Sequence, residues 1–180
     1  YDLPAAIGAH IASGKDIICL AGDGSIQLNI QELATIVHNR YPIKIFVLNN
    51  NGYHSIRQTQ RNFFGEPLVG VGPDSGLGFP DFAKIAHAYD LPFVRCDSHA
   101  ELNATIAATM QTKGPAICEV MLTLHQEFAP KLSSKRLADG RMVSKPLEDL
   151  GCGALVLGIL ATSVIGLGTI CKWASQLAGE

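Results

Sequence analysis

Two short apolar runs, each ending in a polar turn that carries glycine, constrain this chain more than any other feature. Asp16 to Ala21 (DIICLA) is β-rich and runs into Gly22-Asp23-Gly24-Ser25, and Ile43 to Leu48 (IKIFVL) runs into Asn49-Asn50-Asn51-Gly52. Short apolar stretches bounded by turn formers read as buried strands. Between them Ile30, Leu33, Ala34 and Val37 recur at helical spacing, and Asn29 with Glu32 reads as an N-cap pair for that helix. The order is therefore strand, loop, helix, strand. A crossover of this kind is right-handed and leaves its two strands parallel, so both turns emerge at the carboxyl edge of one sheet, where open α/β sheets bind ligands.

The residue types at that edge suit a hard cation and a phosphate. Asp23 offers one carboxylate, Asn50 a neutral amide oxygen, and a backbone carbonyl near Gly52 a third donor. Magnesium takes an octahedron of oxygens at about 2.0–2.1 Å, and phosphate and water usually complete its shell beside one or two carboxylates. A single carboxylate leaves positive charge for a diphosphate to neutralise. Gly22 and Gly24 let the backbone approach phosphate closely, and Ser25 can donate its hydroxyl where the next helix begins. Alone, GDGS is an ordinary tight turn. Its weight comes from the partner turn, because residues 25 to 48 hold one helix and one strand between the two halves.

Further along, Phe79 to Tyr89 predicts a helix with Phe82, Ile85, Ala86 and Tyr89 on one face. Pro92 to Cys96 (PFVRC) predicts a strand, and Ser98 with Glu101 reads as a capping box for a helix carrying Leu102, Ile106 and Met110. Pro115 to Leu122 (PAICEVML) is another buried-strand pattern. The alternation predicts an α/β fold: a doubly wound parallel sheet with helices on both faces. Arg61 to Gly78 has five glycines, two prolines and no period, and reads either as a surface connector or as a lid.

With these residues in place, the chain resembles the diphosphate-binding domain of thiamine-diphosphate enzymes, whose signature is GDG followed later by NN. It is most similar to acetolactate synthase large subunits. Leu3-Pro4-Ala5-Ala6-Ile7-Gly8-Ala9 resembles the helix before their diphosphate loop, Glu32-Leu33-Ala34-Thr35 their inter-loop helix, and Ile56-Arg57-Gln58-Thr59-Gln60 the segment after their metal loop. The resemblance covers residues 1–150. It implies Mg2+ on Asp23, on the Asn50 side chain and on the Gly52 carbonyl, with Gly22, Gly24, Ser25, Tyr53, His54 and Ser55 lining thiamine diphosphate. It implies a carboligase or decarboxylase that takes a 2-oxo acid and transfers a two-carbon acyl unit from pyruvate. No catalytic residue is assigned within this chain.

The resemblance has gaps as well. Acetolactate synthases often carry Met where Ser55 stands and Trp where Thr59 stands, so a different substrate entrance is expected. The glutamate that activates the cofactor in the family comes from a separate pyrimidine-binding domain, of the same or a partner subunit, and is not in this chain. A homo-oligomeric parent is implied, and the isolated chain is expected to lack turnover. The start at Tyr1 reads as the interior of a longer protein, and no secretory n-region or transit peptide is visible there. The alternatives are a cofactor-binding module without turnover, a fragment lacking its pyrimidine domain, or a membrane-associated remnant.

Three regions follow: a cofactor-binding domain over 1–125, an extended arm over 126–150, and an apolar tail over 151–180. Gly151 to Cys171 holds no charged residue. Its length is about that of a membrane-spanning helix, and a transmembrane helix, a buried apolar helix and a frameshift artefact all remain open readings. A net charge of −2 provides no electrostatic basis for nucleic-acid binding. The five cysteines show no CxxC or CxxH spacing and read as reduced core residues of a cytoplasmic protein, with membrane association open only through the tail. His54 stands apart from the other histidines by position and reads either as a packed residue or as a proton shuttle. Arg57 reads either as a clamp for a substrate carboxylate or as a structural partner of an acid.

Overall fold

Four strands form where the sequence has its four apolar runs: β1 (Ile17–Gly22), β2 (Ile43–Asn49), β3 (Phe93–Cys96) and β4 (Ala116–Met121). In this computed structural model, which describes residues 1–125 and 134–144, they pair in the order β1-β2-β4-β3 with every pair parallel. Register decides what happens at the edge. Gly22 pairs with Leu48, so the chain leaves β1 and β2 side by side, with Asp23 on one exit and Asn49 on the other.

The helices are α1 (Asp2–Ser13), α2 (Glu32–Asn39), α3 (His54–Phe63), α4 (Phe82–Ala88) and α5 (His99–Gln111). Cys19, Ala21, Ile43, Ile45, Val47 and Ile117 share one core with Leu3 and Ala6 of α1, Leu33 and Ile36 of α2, and Phe82 and Ala86 of α4. Phe46, Cys118 and Val120 alternate onto the other face, where α5 packs against β3 and β4 and buries Leu102, Thr105, Ile106 and Thr109. Helices therefore cover both faces, as expected. Burial on both sides explains why β2 and β4 read as nearly continuous apolar runs instead of alternating. Each buried Val, Leu, Ile or Phe contributes roughly 1.5–3 kcal/mol.

Three charged residues break those runs: Arg95 on β3 is half exposed, and the two buried ones, Lys44 and Glu119, are each matched. Lys44 Nζ donates to the carbonyls of Thr112 and Gly114, tying the start of β2 to the turn between α5 and β4, and burial holds its pKa below the usual lysine value. Glu119 lies towards the other end of the sheet, near its carboxyl edge, where Asn49 Nδ2 donates to it. The three described cysteines, Cys19, Cys96 and Cys118, are buried free thiols, and desolvation pushes Cys19 and Cys118 each up to about 11.

Helix starts differ from the sequence reading for local reasons. A 3₁₀ turn over Ile26–Asn29 precedes α2, so the helix begins at Glu32 after Gln31 and the Asn29–Glu32 cap does not form. Ser98 does stand at the N-cap of α5, yet its side chain makes no capping bond. Helix α4 starts at Phe82 and not at Phe79, because the Asp81 carboxylate accepts from the Ala83 and Lys84 amides at 2.9 and 3.2 Å. Asp81→Ala is expected to lower the unfolding free energy by about 1 kcal/mol, read from the urea midpoint.

Contacts divide the chain into Tyr1–His125 and Gln126–Glu180. In the second unit β5 (Ser134–Arg136) pairs antiparallel with β6 (Met142–Ser144), and their turn carries Gly140 at φ 86°. The predicted apolar C-terminal helix over 151–171 lies outside the described residues. Among the described residues no helix is long and apolar enough to cross a membrane.

Candidate functional site

Asp23 joins the two turns. It is almost wholly buried, at 1% exposed, and each carboxylate oxygen accepts a backbone amide: Gly24 N–H at Oδ1 and Gly52 N–H at Oδ2, both over 2.8 Å. The GDGS turn after β1 and the NNNG turn after β2 are thus held on opposite oxygens of one side chain. Burial drives the Asp23 carboxyl above the usual aspartate value, against the pull of the Gly52, Gly24 and Asn51 amides and the Arg57 charge. Among the described residues Asp23 forms no ion pair. The chemistry of such a carboxylate suits a hard cation.

Asn50 supplies the second donor. Its Oδ1 is buried and has no hydrogen-bond partner among the described residues, which is uncommon for a buried amide oxygen and fits a neutral oxygen donor for a hard cation. Gly52 adds a carbonyl that accepts one bond, from His54 N–H at 3.1 Å. The two glycines also make room. A Cβ on Gly24 would stand 2.5 Å from the Tyr53 ring, and a Cβ on Gly52, whose φ is +145°, would stand 2.0 Å from the Val71 carbonyl oxygen.

The other predicted residues fall around these turns in different ways. Tyr53 precedes α3, its hydroxyl reaches the Gly24 carbonyl at 3.4 Å, and its ring meets Phe79 edge-on at 6.3 Å. His54 is buried at the first position of α3. Ser55 and Thr59 share one exposed helix face, and the Thr59 hydroxyl donates to the Ser55 carbonyl. Ser25 departs from its expected use. Its hydroxyl donates to Asp2 Oδ2 over 2.6 Å while accepting from Gly22 N–H at 3.2 Å, so its proton is already committed to closing the turn.

Arg57 belongs to the architecture of the site. Its guanidinium donates to the carbonyls of Asn50, Asn51 and Val71 at 3.5, 3.1 and 3.3 Å, and it is buried. Among the described residues it pairs with backbone and not with an acid, and so stitches the NNNG turn to the segment after α3. That segment starts later than the sequence suggests, because α3 runs to Phe63. It is not a loose connector: Gln60 exchanges two 2.8 Å bonds with the Val69 backbone, Ser75 Oγ accepts from Val71 and Gly72, and the Val71 carbonyl also accepts Tyr53 N–H. Arg57→Ala would take a donor from three carbonyls, of which Val71 keeps Tyr53 N–H, and a loss of about 2–3 kcal/mol in urea unfolding is expected.

These features define a parallel α/β domain that gathers a buried carboxylate, an unpartnered amide oxygen and two close-approach glycines at the carboxyl edge of its sheet. Residues 1–120 match the family model described as "Thiamine pyrophosphate enzyme, C-terminal TPP binding domain", and the chain belongs to that family. The acetolactate synthase large subunit of Cyanidium caldarium is 35% identical over 134 residues, 74% of this chain and 23% of that protein. The Pyropia yezoensis large subunit is 33% identical over 134 residues, 74% and 22% respectively. Zea mays acetolactate synthase 1, chloroplastic, is 32% identical over 139 residues, again 74% and 22%. The chain thus spans less than a quarter of the length of these relatives.

Two contributors near these turns were not singled out from the sequence. Asp2, which orients Ser25, is distant in the chain and unremarkable. Glu119 did carry a signal, as a lone carboxylate inside the buried run PAICEVML.

Proposed function

We propose that residues 1–125 bind thiamine diphosphate through Mg2+, and that the parent protein acts on 2-oxo acids as an acetolactate synthase-like carboligase or decarboxylase. The observation that carries this reading is Asp23, a buried carboxylate without a contact counter-charge that receives one amide from each turn. Asp23, Asn50 Oδ1 and the second lone pair of the Gly52 carbonyl would hold the cation. Gly22 and Gly24 would admit the diphosphate, with Tyr53, His54 and Ser55 beside it at the start of α3. Ser25 would act through its backbone amide, since its hydroxyl proton is held by Asp2. When bound, the thiazolium ring supplies an electron sink for decarboxylation of a 2-oxo acid. This chain's residues bind and orient it; the activating glutamate would come from a pyrimidine-binding domain of the same or a partner subunit, in a homo-oligomer. The division into a 1–125 domain, a 126–150 arm and a 151–180 tail, and a cytoplasmic location, belong to the same proposal.

Calorimetric titration of the chain with thiamine diphosphate, with Mg2+ and then with EDTA, tests it. Binding that requires Mg2+ is expected. Binding indifferent to EDTA, or absent at millimolar Mg2+, overturns the reading.

A further inference from the structure

Glu119 is a charged residue in a strand position where an apolar one would pack. It sits on β4 between Cys118 and Val120, is 4% exposed, and pairs in register with Val47 on one side and Arg95 on the other. A buried carboxylate destabilises a core unless it is matched by donors. The obvious match, an ion pair with Arg95, is the weaker one. Arg95 Nη1 stands 3.7 Å from Glu119 Oε2, while Arg95 Nε is bound to Asp97 at 2.9 Å and the side chain is half exposed. The strong contact is elsewhere: Asn49 Nδ2 donates to Glu119 Oε1 over 2.6 Å.

That contact fixes which way the Asn49 amide faces. With its NH2 group on Glu119, the Asn49 Oδ1 is turned to accept Asn51 N–H at 2.9 Å. The bond closes a turn in which Asn51 takes the left-handed φ of 55°, and from which Gly52 N–H reaches Asp23. Asn50, whose Oδ1 has no hydrogen-bond partner among the described residues, lies inside the turn that this bond closes.

We infer that Glu119 is a positioning residue for the NNNG turn, acting through Asn49 to hold Asn50 and Gly52 in the arrangement that receives the cation. The inference rests on the reading of that turn as the cofactor loop, but its geometric part does not need the cofactor. Glu119→Gln keeps an acceptor for Asn49 and should hold the turn. Glu119→Leu keeps the buried volume and removes the acceptor, so Asn49 loses its orientation. Partners of this outer kind commonly change metal affinity by about 10–100-fold.

Residue-resolved amide exchange on the ligand-free chain is the test, with Asn51 and Gly52 read against core amides of β1 and β2. Glu119→Leu is expected to speed exchange at Asn51 and Gly52 by at least about tenfold while leaving the core amides unchanged, and Glu119→Gln and Arg95→Gln to stay near wild type. Unchanged protection in Glu119→Leu overturns the inference. So does an Arg95→Gln variant that opens the turn as much as Glu119→Leu, since that makes Glu119 an ion-pair partner and nothing more. If Glu119→Leu does not fold, Asn49→Asp reads the same link from its other end, since it keeps an oxygen for the Asn51 amide and removes the NH2 that Glu119 holds; it must speed exchange at Asn51, and unchanged protection there overturns the inference. Mg2+ titration with thiamine diphosphate present is then expected to show about tenfold weaker metal binding for Glu119→Leu and wild-type binding for Glu119→Gln. A wild-type chain that binds no cofactor removes the proposed function, while the exchange result still decides the role of Glu119.

Discussion

Asp23→Ala is expected to weaken Mg2+-dependent thiamine diphosphate binding by at least about 100-fold, or about 2.7 kcal/mol. Three consequences of one substitution add up to that loss. The sole carboxylate of the donor set goes, and with it the charge that favours a divalent cation over water. The Gly24 and Gly52 amides lose their shared acceptor, so the two turns are no longer held on one side chain. A cation would then rely on neutral oxygens alone. The effect on folding should be much smaller. Burial raises the Asp23 carboxyl above its ordinary value in the folded state. A group shifted that way favours folding below the ordinary aspartate pKa, and the contribution is lost as pH rises through the folded value. At neutral pH the ionised form therefore weighs against the folded chain, and removing it offsets part of what the lost hydrogen bonds cost. If Asp23 served only to close a turn, the reverse pattern would appear: a large drop in the urea midpoint and no change in the Mg2+ requirement. Calorimetry and urea unfolding on the same variant separate the two.

The parts of this domain that depend on local pattern were legible in the chain. All four strands lie within a residue or so of the apolar runs, most plainly β2 and β4, which are buried on both faces and so demand largely apolar stretches. The pairing of GDGS with NNNG was readable for the same reason, since parallel strands bring their exits to one edge. What sequence could not supply were bonds between distant residues that compete for one side chain. Ser25 looked free to donate to phosphate, and Asp2 holds its proton. Arg57 looked like a substrate clamp or half of an ion pair, and three backbone carbonyls of two different loops use it. Helix starts shifted where a nearer cap won, as Asp81 did over Phe79. In each case the partner was decided by tertiary placement.

Gly52→Ala should be the most disruptive small substitution in the domain. Gly52 holds a φ of +145°, which L side chains rarely adopt, and its added Cβ would lie 2.0 Å from the Val71 carbonyl oxygen and 2.7 Å from Arg57 Nη2. Neither neighbour can yield cheaply. The Val71 carbonyl accepts Tyr53 N–H at 2.9 Å and Arg57 at 3.3 Å, and Arg57 is itself fixed on Asn50 and Asn51. Relief must come from moving the turn, which pulls Gly52 N–H off Asp23 and its carbonyl out of the site. Backbone strain and overpacking together are expected to remove about 2–5 kcal/mol of stability, along with cofactor binding. Gly78→Ala is the matched control, because nothing lies within 4 Å of a Cβ there and its φ is unrestricted. Urea unfolding of the two variants gives the comparison. A Gly52→Ala protein as stable as Gly78→Ala would mean that the Val71 segment does not close over the turn, and the site would then be open on that side to a larger ligand.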